Sequence, residues 1–285
     1  MHRIARIAIA ALASVGMLAS VAACGSGQST SEKNGTIEVA ASVNQWGTVA
    51  KALGGDNVNV TSIINSTNVD AHDYEPTTSD IAKLQKAQVI IVNGAGYDAW
   101  AVKATQTANA TIVNAAEVGG VNDGENPHVW FSADVRKAVA QAITEAYEQA
   151  DAAKKNDFDK MNDRWTAEEN NVESKIAEVK QKTDGLAYAA TESVASYLAE
   201  DMGLADATPS GYARATANES EPTPTDIKQF TDALKAGEIK LLVVNTQEES
   251  ELTDKITDAA KSVEVPMVEL TEQMPEQYDS LTAWM

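Results

Sequence analysis

The chain has 285 residues and a formal net charge of −20 at pH 7, from 22 basic and 42 acidic side chains. A protein with this much negative charge repels nucleic acid and anionic membrane surfaces, and it favours cations as partners. Cys24 is the single cysteine, which excludes an internal disulfide and a thiolate metal site in the folded part of the chain. Aromatic residues make up 5% of the chain, which argues against a sugar site lined with aromatic faces.

The N-terminal segment has the pattern of a bacterial secretory signal. Arg3 and Arg6 form a short basic region, an apolar run follows, and small residues stand before Cys24. The segment that ends at Cys24 resembles the lipobox of bacterial lipoproteins. This resemblance implies that residues 1–23 are removed and that an acylated Cys24 anchors the chain to the cell membrane. The alternatives are a plain signal peptide and a membrane helix, for which the run is short. Residues 24–35 are polar and rich in Ser, Gly and Lys, which predicts a flexible tether.

Residues 36–150 are predicted to form an α/β lobe. Short runs rich in β-branched residues predict strands, and amphipathic stretches between them predict helices. Strands are predicted over residues 37–42, 57–64 and 89–93, and helices over residues 46–53 and 78–87. Strands that alternate with helices favour a sheet whose strands run parallel.

A long, highly charged helix is predicted between this lobe and a second one. Residues 132–182 contain neither Gly nor Pro and are predicted to be helical almost throughout, and residues 151–182 are too polar on all sides for a core element. We therefore predict that residues 151–182 link the first lobe to a second α/β lobe over residues 183–285. In the second lobe, strands are predicted over residues 186–190, 240–245 and 266–270, and helices over residues 194–202 and 249–262.

An internal echo relates the two halves of the chain. The letters EPTTSDI at 75–81 precede IIVN at 90–93, and the letters EPTPTDI at 221–227 precede LLVVN at 241–245. In both copies a Thr or Ser stands before a helix as a cap, and an Asp lies in the first turn. The echo predicts two related lobes with a cleft between them, which is a favoured position for a ligand.

Two histidines remain after the signal segment, His72 and His128, and both are candidate metal ligands. Each lies in a loop that also holds a proline, within the letters DAHDYEP and NPHVW. Imidazole is the commonest neutral metal ligand, and its second ring nitrogen needs an orienting partner. A single histidine is more often structural than a ligand, whereas two in similar loops of one lobe leave both interpretations open.

The residues around these histidines resemble the zinc/manganese-type solute-binding proteins of ABC importers. The matching letters are HDYEPTTSDI at 72–81, LQKA at 84–87, VNG at 92–94 and NPHVW at 126–130, within a resemblance that runs from about residue 37 to residue 278. It implies two α/β lobes joined by one long rigid helix, with a metal site between the lobes. It also implies that the protein captures a divalent transition metal outside the cytoplasm and delivers it to a membrane permease with a cytoplasmic ATPase. We expect a monomer.

The resemblance implies four ligand side chains, of which His72 and His128 are the first two. The third follows the first strand of the second lobe, where the letters AATES place Glu192, and the alternative is a carboxylate that only caps a helix. The fourth follows the last strand and is usually an aspartate in the family. Here the letters VELTE offer Glu272, with Glu269 as the alternative. The histidine-rich loop that often precedes the second ligand in zinc-binding members is missing from this sequence.

The predicted ligand set favours particular metals and particular function classes. Two imidazoles and two carboxylates form a harder site than three imidazoles, which favours Mn²⁺ without excluding Zn²⁺ or Fe²⁺. The alternatives to a carrier are a surface adhesin-like lipoprotein with a structural metal and a metal-dependent hydrolase. The chain lacks His-Glu-x-x-His, Gly-x-Ser-x-Gly and P-loop motifs, and a catalytic metal needs an open coordination position. We therefore predict that the protein is not an enzyme.

Overall fold

The computed structural model describes residues 35–69 and 71–285, where the chain forms two parallel sheets of four strands each. The first sheet contains β1 (Ile37–Val43), β2 (Val58–Ile64), β3 (Val89–Val92) and β4 (Thr111–Asn114), in the order β2-β1-β3-β4. The second contains β5 (Ala187–Ala190), β6 (Ala205–Asp206), β7 (Leu241–Asn245) and β8 (Met267–Leu270), in the order β6-β5-β7-β8. The second sheet therefore repeats the topology of the first. The signal segment and Cys24 lie outside the described residues.

Helices surround the two sheets and join them. The first half contains α1 (Asn44–Gly54), α2 (Thr78–Lys86), α3 (Ala99–Thr105), α4 (Ala115–Val118) and α5 (Ala133–Ala150), followed by α6 (Lys155–Thr183). The second half contains α7 (Ser196–Asp201), α8 (Ser210–Ala217), α9 (Pro224–Lys235), α10 (Glu251–Ser262) and α11 (Leu281–Trp284). The predicted architecture of two α/β lobes with parallel sheets and a long joining helix is confirmed. In the described part of the chain, no helix has both the length and the apolar character needed to cross a membrane.

The central strands of the first sheet are short apolar segments that are buried in the middle of the lobe. All four residues of β3 are buried, and β1 is buried at every position except Glu38. Helices on both faces of a parallel sheet produce this pattern. β1 pairs in parallel with β2 and β3, and β5 pairs in parallel with β6 and β7. The carboxyl ends of the strands in one sheet therefore lie along one edge, where ligand sites form in α/β proteins.

The helix predicted over residues 132–182 is interrupted at Asp151. The backbone there leaves the helical region, with φ −144° and ψ 85°, and the Asp151 carboxylate accepts a hydrogen bond from the N–H of Ala153 at 3.1 Å. An aspartate that bonds to nearby backbone in this way competes with continuation of the helix. As a result α5 and α6 are separate helices that pack against each other. The prediction also omitted β4, β6, α3, α4, α8 and α11, which have between two and eight residues each.

Both copies of the internal echo begin a helix in the same way. Thr77 and Asp80 form a capping box at the start of α2, and Thr223 and Asp226 form one at the start of α9. In each box the threonine hydroxyl accepts a bond from the aspartate N–H, and the aspartate carboxylate accepts one from the threonine N–H. The predicted caps are therefore confirmed, and each helix leads into a central strand of its sheet.

The joining helix α6 is tied to the first lobe through a buried ion pair. Glu169 of α6 is fully buried, and it accepts a bond from Nε of Arg136 in α5 at 3.0 Å. Nη1 of Arg136 also donates to the carbonyl oxygen of Trp130 at 3.0 Å. A buried ion pair is costly to break because removing one partner leaves the other charge uncompensated. Through Trp130, this pair supports the loop in which His128 lies.

Candidate metal centre

The structure brings His72, His128, Glu192 and Glu272 together in one cluster. One potential ligand atom from each side chain lies within 4.8 Å of those from the others. His72 Nε2 is 3.6 Å from Glu272 Oε2, and His128 Nε2 is 3.6 Å from Glu192 Oε1. Glu269, the alternative to Glu272, instead lies exposed on β8. Two nitrogen and two oxygen atoms at this spacing can surround one divalent ion.

The four side chains stand at or near the carboxyl ends of strands. His72 lies in the loop after β2, while Glu192 follows β5 and Glu272 follows β8. His128 lies between β4 and α5, immediately before a short 3-10 turn. Residues from both halves of the chain line the cavity that contains the cluster, which has a volume of about 960 Å³. The topology of the two sheets therefore explains why residues far apart in the sequence meet here.

The ring of His128 is oriented by Asn126. Asn126 Oδ1 accepts bonds from the backbone N–H of His128 at 3.0 Å and from its Nδ1 at 2.7 Å. Because a backbone N–H can only donate, the shared atom is the amide oxygen, and Nδ1 must carry the hydrogen. Burial lowers the pKa of His128, so the ring is neutral and Nε2 keeps its lone pair. That nitrogen is buried without a hydrogen-bond partner among residues 35–69 and 71–285, which is the state of a nitrogen prepared for a metal.

The two carboxylates are close enough to affect each other's ionisation. Burial and the neighbouring charge of Glu272 raise the pKa of Glu192 to about 9. Burial alone would also raise the pKa of Glu272, but its contacts with His128 and His72 outweigh that effect and lower it to about 2. Because two buried carboxylates this close together resist ionising together, these shifts favour a pair that shares one proton at neutral pH.

Tyr97 forms part of the wall of the cluster and was not predicted from the sequence. Its hydroxyl donates to Glu272 Oε2 at 3.1 Å and accepts a bond from Gln273 Nε2 at 2.6 Å. The edge of its ring faces His72, with the ring centres 4.9 Å apart, and its centre lies 5.9 Å from that of His128. Tyr97 is 2% exposed. Its position next to three of the four candidate ligands indicates that it orients them and excludes water from that side.

Two further residues from the second half of the chain contact the candidate ligands. Asn245, at the end of β7, donates from Nδ2 to Glu192 at 2.6 Å and to Glu272 at 3.0 Å. Glu219 approaches His72, with its Oε1 3.3 Å from Nδ1 of the ring. Glu219 also has a positive φ of 51°, which is uncommon for a residue other than glycine. Of these two residues, only Asn245 could have been found from the sequence. A polar residue at the end of a buried parallel strand indicates the edge of the sheet at which ligands bind.

The mouth of the cavity is strongly acidic. Besides the two carboxylates of the cluster, the residues that line the cavity include Asp73, Glu125, Glu219, Glu221, Glu248, Glu249 and Glu251. A concave surface lined by one sign of charge concentrates ions of the opposite sign and speeds their association. Part of the acidic excess of the chain, whose net charge is −20, therefore lies at this cavity, where it favours binding of a cation.

The loop that carries Glu272 is also bonded to the first half of the chain. Gln45 Nε2 donates to the carbonyl oxygen of Glu272, and Asn44 Nδ2 donates to that of Met274, both at 2.6 Å. Further along, the ring of Trp284 lies 5.3 Å from that of Phe131. The last segment of the chain therefore packs against the lobe that holds the two histidines.

Comparisons with known proteins identify a family. A family model described as zinc-uptake complex component A, periplasmic, matches residues 39–285. The chain is 24% identical to the manganese ABC transporter substrate-binding lipoprotein PsaA of Streptococcus anginosus, over 79% of this chain and 77% of that protein. It is 26% identical to the iron ABC transporter substrate-binding lipoprotein MtsA of Streptococcus pyogenes serotype M1, over 75% of this chain and 73% of that protein.

The fold is also similar to that of solved structures. The periplasmic zinc-binding protein TroA from Treponema pallidum superposes with a TM-score of 0.74 at 15% identity, covering 88% of this chain and 95% of that one. At this identity the likeness concerns the fold alone. The family match extends from within β1 to the last described residue, and so includes both sheets and the whole cluster. The chain therefore belongs to the family described as zinc-uptake complex component A, periplasmic.

Proposed function

We propose that this protein is the extracytoplasmic substrate-binding component of an ABC importer. It binds one divalent transition metal ion on His72, His128, Glu192 and Glu272 and delivers the ion to a membrane permease with its cytoplasmic ATPase. The observation that carries the proposal is the convergence of these four side chains in one cavity, where a buried nitrogen of His128 has no partner among the described residues. Relatives and structures named for manganese, iron and zinc support a cargo of Mn²⁺, Zn²⁺ or Fe²⁺.

The charge and number of the proposed ligands suit a carrier. Two ionised carboxylates neutralise a dication, so that its burial becomes tolerable. One atom from each of four side chains completes a tetrahedral shell, whereas a catalytic metal keeps a position open for water or substrate. The family is one of uptake components. Binding and transfer of the ion, rather than catalysis, are therefore the chemistry that we assign to the cluster.

The protein works at the outer face of the cell membrane as a monomer, held there by a lipid on Cys24 after removal of residues 1–23. Relatives that are named lipoproteins support this location. Cys24→Ala is expected to move the protein from the membrane fraction to the soluble fraction, as measured by fractionation without detergent. Unchanged association with membranes would contradict the anchor.

Titration calorimetry of the metal-free protein with Zn²⁺ and with Mn²⁺ tests the metal site. We expect one ion per chain. Glu272→Ala should weaken binding by more than about 100-fold, which exceeds the usual effect of losing an outer-shell partner. Glu269→Ala is the matched control, because it removes an exposed carboxylate from the same segment and should leave the affinity unchanged. If Glu269→Ala weakened binding and Glu272→Ala did not, Glu269 would be the ligand instead of Glu272. If the wild type bound neither metal, the proposed function would be contradicted.

A further inference from the structure

Asn245 joins the two carboxylates of the cluster. Its side chain is buried, and Nδ2 donates to Glu192 Oε2 at 2.6 Å and to Glu272 Oε1 at 3.0 Å. An amide nitrogen has two N–H groups, and here each is used by a different carboxylate. One donor group therefore holds both acidic side chains in place.

The direction of the Asn245 amide is determined by its other end. Oδ1 accepts a bond from the backbone N–H of Gln247 at 3.0 Å, and that N–H can only donate. The backbone N–H of Asn245 in turn donates to the hydroxyl of Thr191 at 3.0 Å, beside Glu192. The amide nitrogen must therefore face the carboxylates, and the strand end is bonded to the segment that carries one of them.

Each carboxylate turns its other oxygen towards the imidazoles. Glu192 Oε1 is 3.6 Å from His128 Nε2, and Glu272 Oε2 is 3.6 Å from His72 Nε2. The hydroxyl of Tyr97 uses one lone pair of Glu272 Oε2 and leaves the second lone pair for another partner. Asn245 therefore fixes the orientation of both carboxylates: the oxygen bonded to it is the outer one, and the other oxygen of each carboxylate lies nearest the imidazoles.

We propose that Asn245 is a positioning residue that limits Glu192 and Glu272 to one ligand oxygen each, so that the centre is four-coordinate and selects Zn²⁺ over Mn²⁺. This rests on the proposed function, since selection requires that a divalent metal binds here. A carboxylate that binds through both oxygens raises the coordination number, and manganese accepts such an oxygen-rich shell. Zinc gains instead from tetrahedral closure. Asn245 therefore opposes the preference for manganese that the ligand types alone would give.

The first lobe uses an asparagine at the matching place in the internal echo. Asn93 follows β3 as Asn245 ends β7, and its Nδ2 donates to the carbonyl oxygens of Gly94 at 3.2 Å and Pro127 at 2.8 Å. Pro127 is the neighbour of His128. In both lobes this asparagine supports a proposed ligand, but only in the second lobe does it bond to the ligand side chains themselves.

Chelator-competition titrations of Zn²⁺ and Mn²⁺ on the full-length chain test the proposal, with Co²⁺ as a spectroscopic probe of geometry. Asn245→Ala and Asn245→Ser remove the two donors. Thr246→Val is the matched control, because the Thr246 hydroxyl donates to the carbonyl of Leu270 rather than to the cluster. In the Asn245 variants we expect zinc to bind about 10- to 100-fold more weakly, as is usual when an outer-shell partner is lost. Manganese should weaken less, so that the zinc-to-manganese affinity ratio falls about tenfold.

The cobalt spectrum supplies a readout that a purely structural role would not change. A four-coordinate Co²⁺ ion absorbs visible light intensely and a six-coordinate ion weakly, so the wild type should show the intense bands and the Asn245 variants weaker ones. A six-coordinate spectrum for the wild type would overturn the proposal without any variant, even if both variants fail to fold. An unchanged ratio and spectrum in folded Asn245 variants would also overturn it. A wild type that binds neither zinc nor manganese would instead refute the proposed function.

Discussion

The two lobes share a topology, yet they contribute different chemistry to the cluster. The first lobe supplies His72 and His128, with an uncharged ring on His128, and the second supplies the acidic Glu192 and Glu272. In both lobes the side chains stand near the carboxyl ends of parallel strands. The comparison teaches that the sheet edge determines where a ligand stands, while the residue type in each loop determines its charge. A dication between the lobes would meet nitrogen on one side and anionic oxygen on the other.

Removing an imidazole from the first lobe should have the largest effect on metal affinity. His128→Ala deletes a nitrogen that is buried without a partner among the described residues and that is already in the tautomer a metal needs. We expect the affinity for Zn²⁺ and Mn²⁺ to fall by more than about 100-fold, beyond the loss typical of an outer-shell partner. Titration calorimetry measures the change, and thermal unfolding of the metal-free variant checks the fold. Full affinity in a His72→Ala/His128→Ala double variant would place the metal elsewhere.

The second lobe should release a proton when a metal binds, since its acidic pair holds one at neutral pH. The pKa of Glu192 is raised to about 9, so the carboxyl is protonated below that pH and a metal must displace the proton in order to bind. The lowered pKa of His128 means that this ring has no proton to lose in the same range. The affinity for Mn²⁺ should therefore rise about tenfold per pH unit between about pH 6.5 and 8.5 and level off above about pH 9.

Calorimetry in two buffers of different ionisation enthalpy counts the protons directly. At pH 7 we expect about one proton released per Mn²⁺ ion bound by the wild type. Glu192→Gln is the control, because it keeps the shape of the side chain and has no proton to release. Equal heats in both buffers for the wild type would show that Glu192 is already ionised in the metal-free protein, which would contradict the raised pKa.

Substitutions in the two capping boxes should have the smallest effect, which is on the free energy of unfolding, and they compare the two lobes directly. Thr77→Ala and Thr223→Ala each remove a helix cap, which costs about 1 kcal/mol of unfolding free energy. Removing the Thr77 hydroxyl should cost more unfolding free energy than removing that of Thr223, because Asp80 is 6% exposed, whereas Asp226 in the second box is only half-buried. A buried carboxylate that loses a donor is harder to compensate with water. Urea unfolding of both variants measures the difference, and equal losses would show that burial of Asp80 does not matter.

The sequence predicted the parts of this protein that leave a local pattern. Buried apolar runs predicted β1, β3 and β7, and repeated capping letters predicted that the two halves are related. By contrast, β6 has two residues, both exposed, and leaves no hydrophobic signal. The break at Asp151 depends on one side chain bonding to its own backbone, within a segment whose composition favours a helix throughout.

The outer parts of the candidate site could not be predicted, because they depend on how the lobes meet. Tyr97 looks like an ordinary core aromatic in the sequence, and only the folded chain shows its hydroxyl against Glu272. The contact between Glu219 and His72 joins residues from different halves through side chains that carry no shared motif. The four proposed ligands lie close together in the structure, as the resemblance implies, and titration of the His128 and Glu272 variants tests whether they bind a metal.

The bonds that hold the Glu272 loop to α1 have a consequence for how an ion would leave. Although Glu272 follows a strand of the second lobe, its carbonyl is held by Gln45, and that of Met274 is held by Asn44. If the lobes part with these bonds intact, Glu272 stays beside the two imidazoles, its bond from Asn245 breaks, and Glu192 alone withdraws. Release of a bound ion would then begin with the loss of one of the four proposed ligands, which would leave one coordination position vacant. An incoming donor group on an acceptor could occupy that position first, so that the cargo would pass over by stepwise ligand exchange without ever being free in solution.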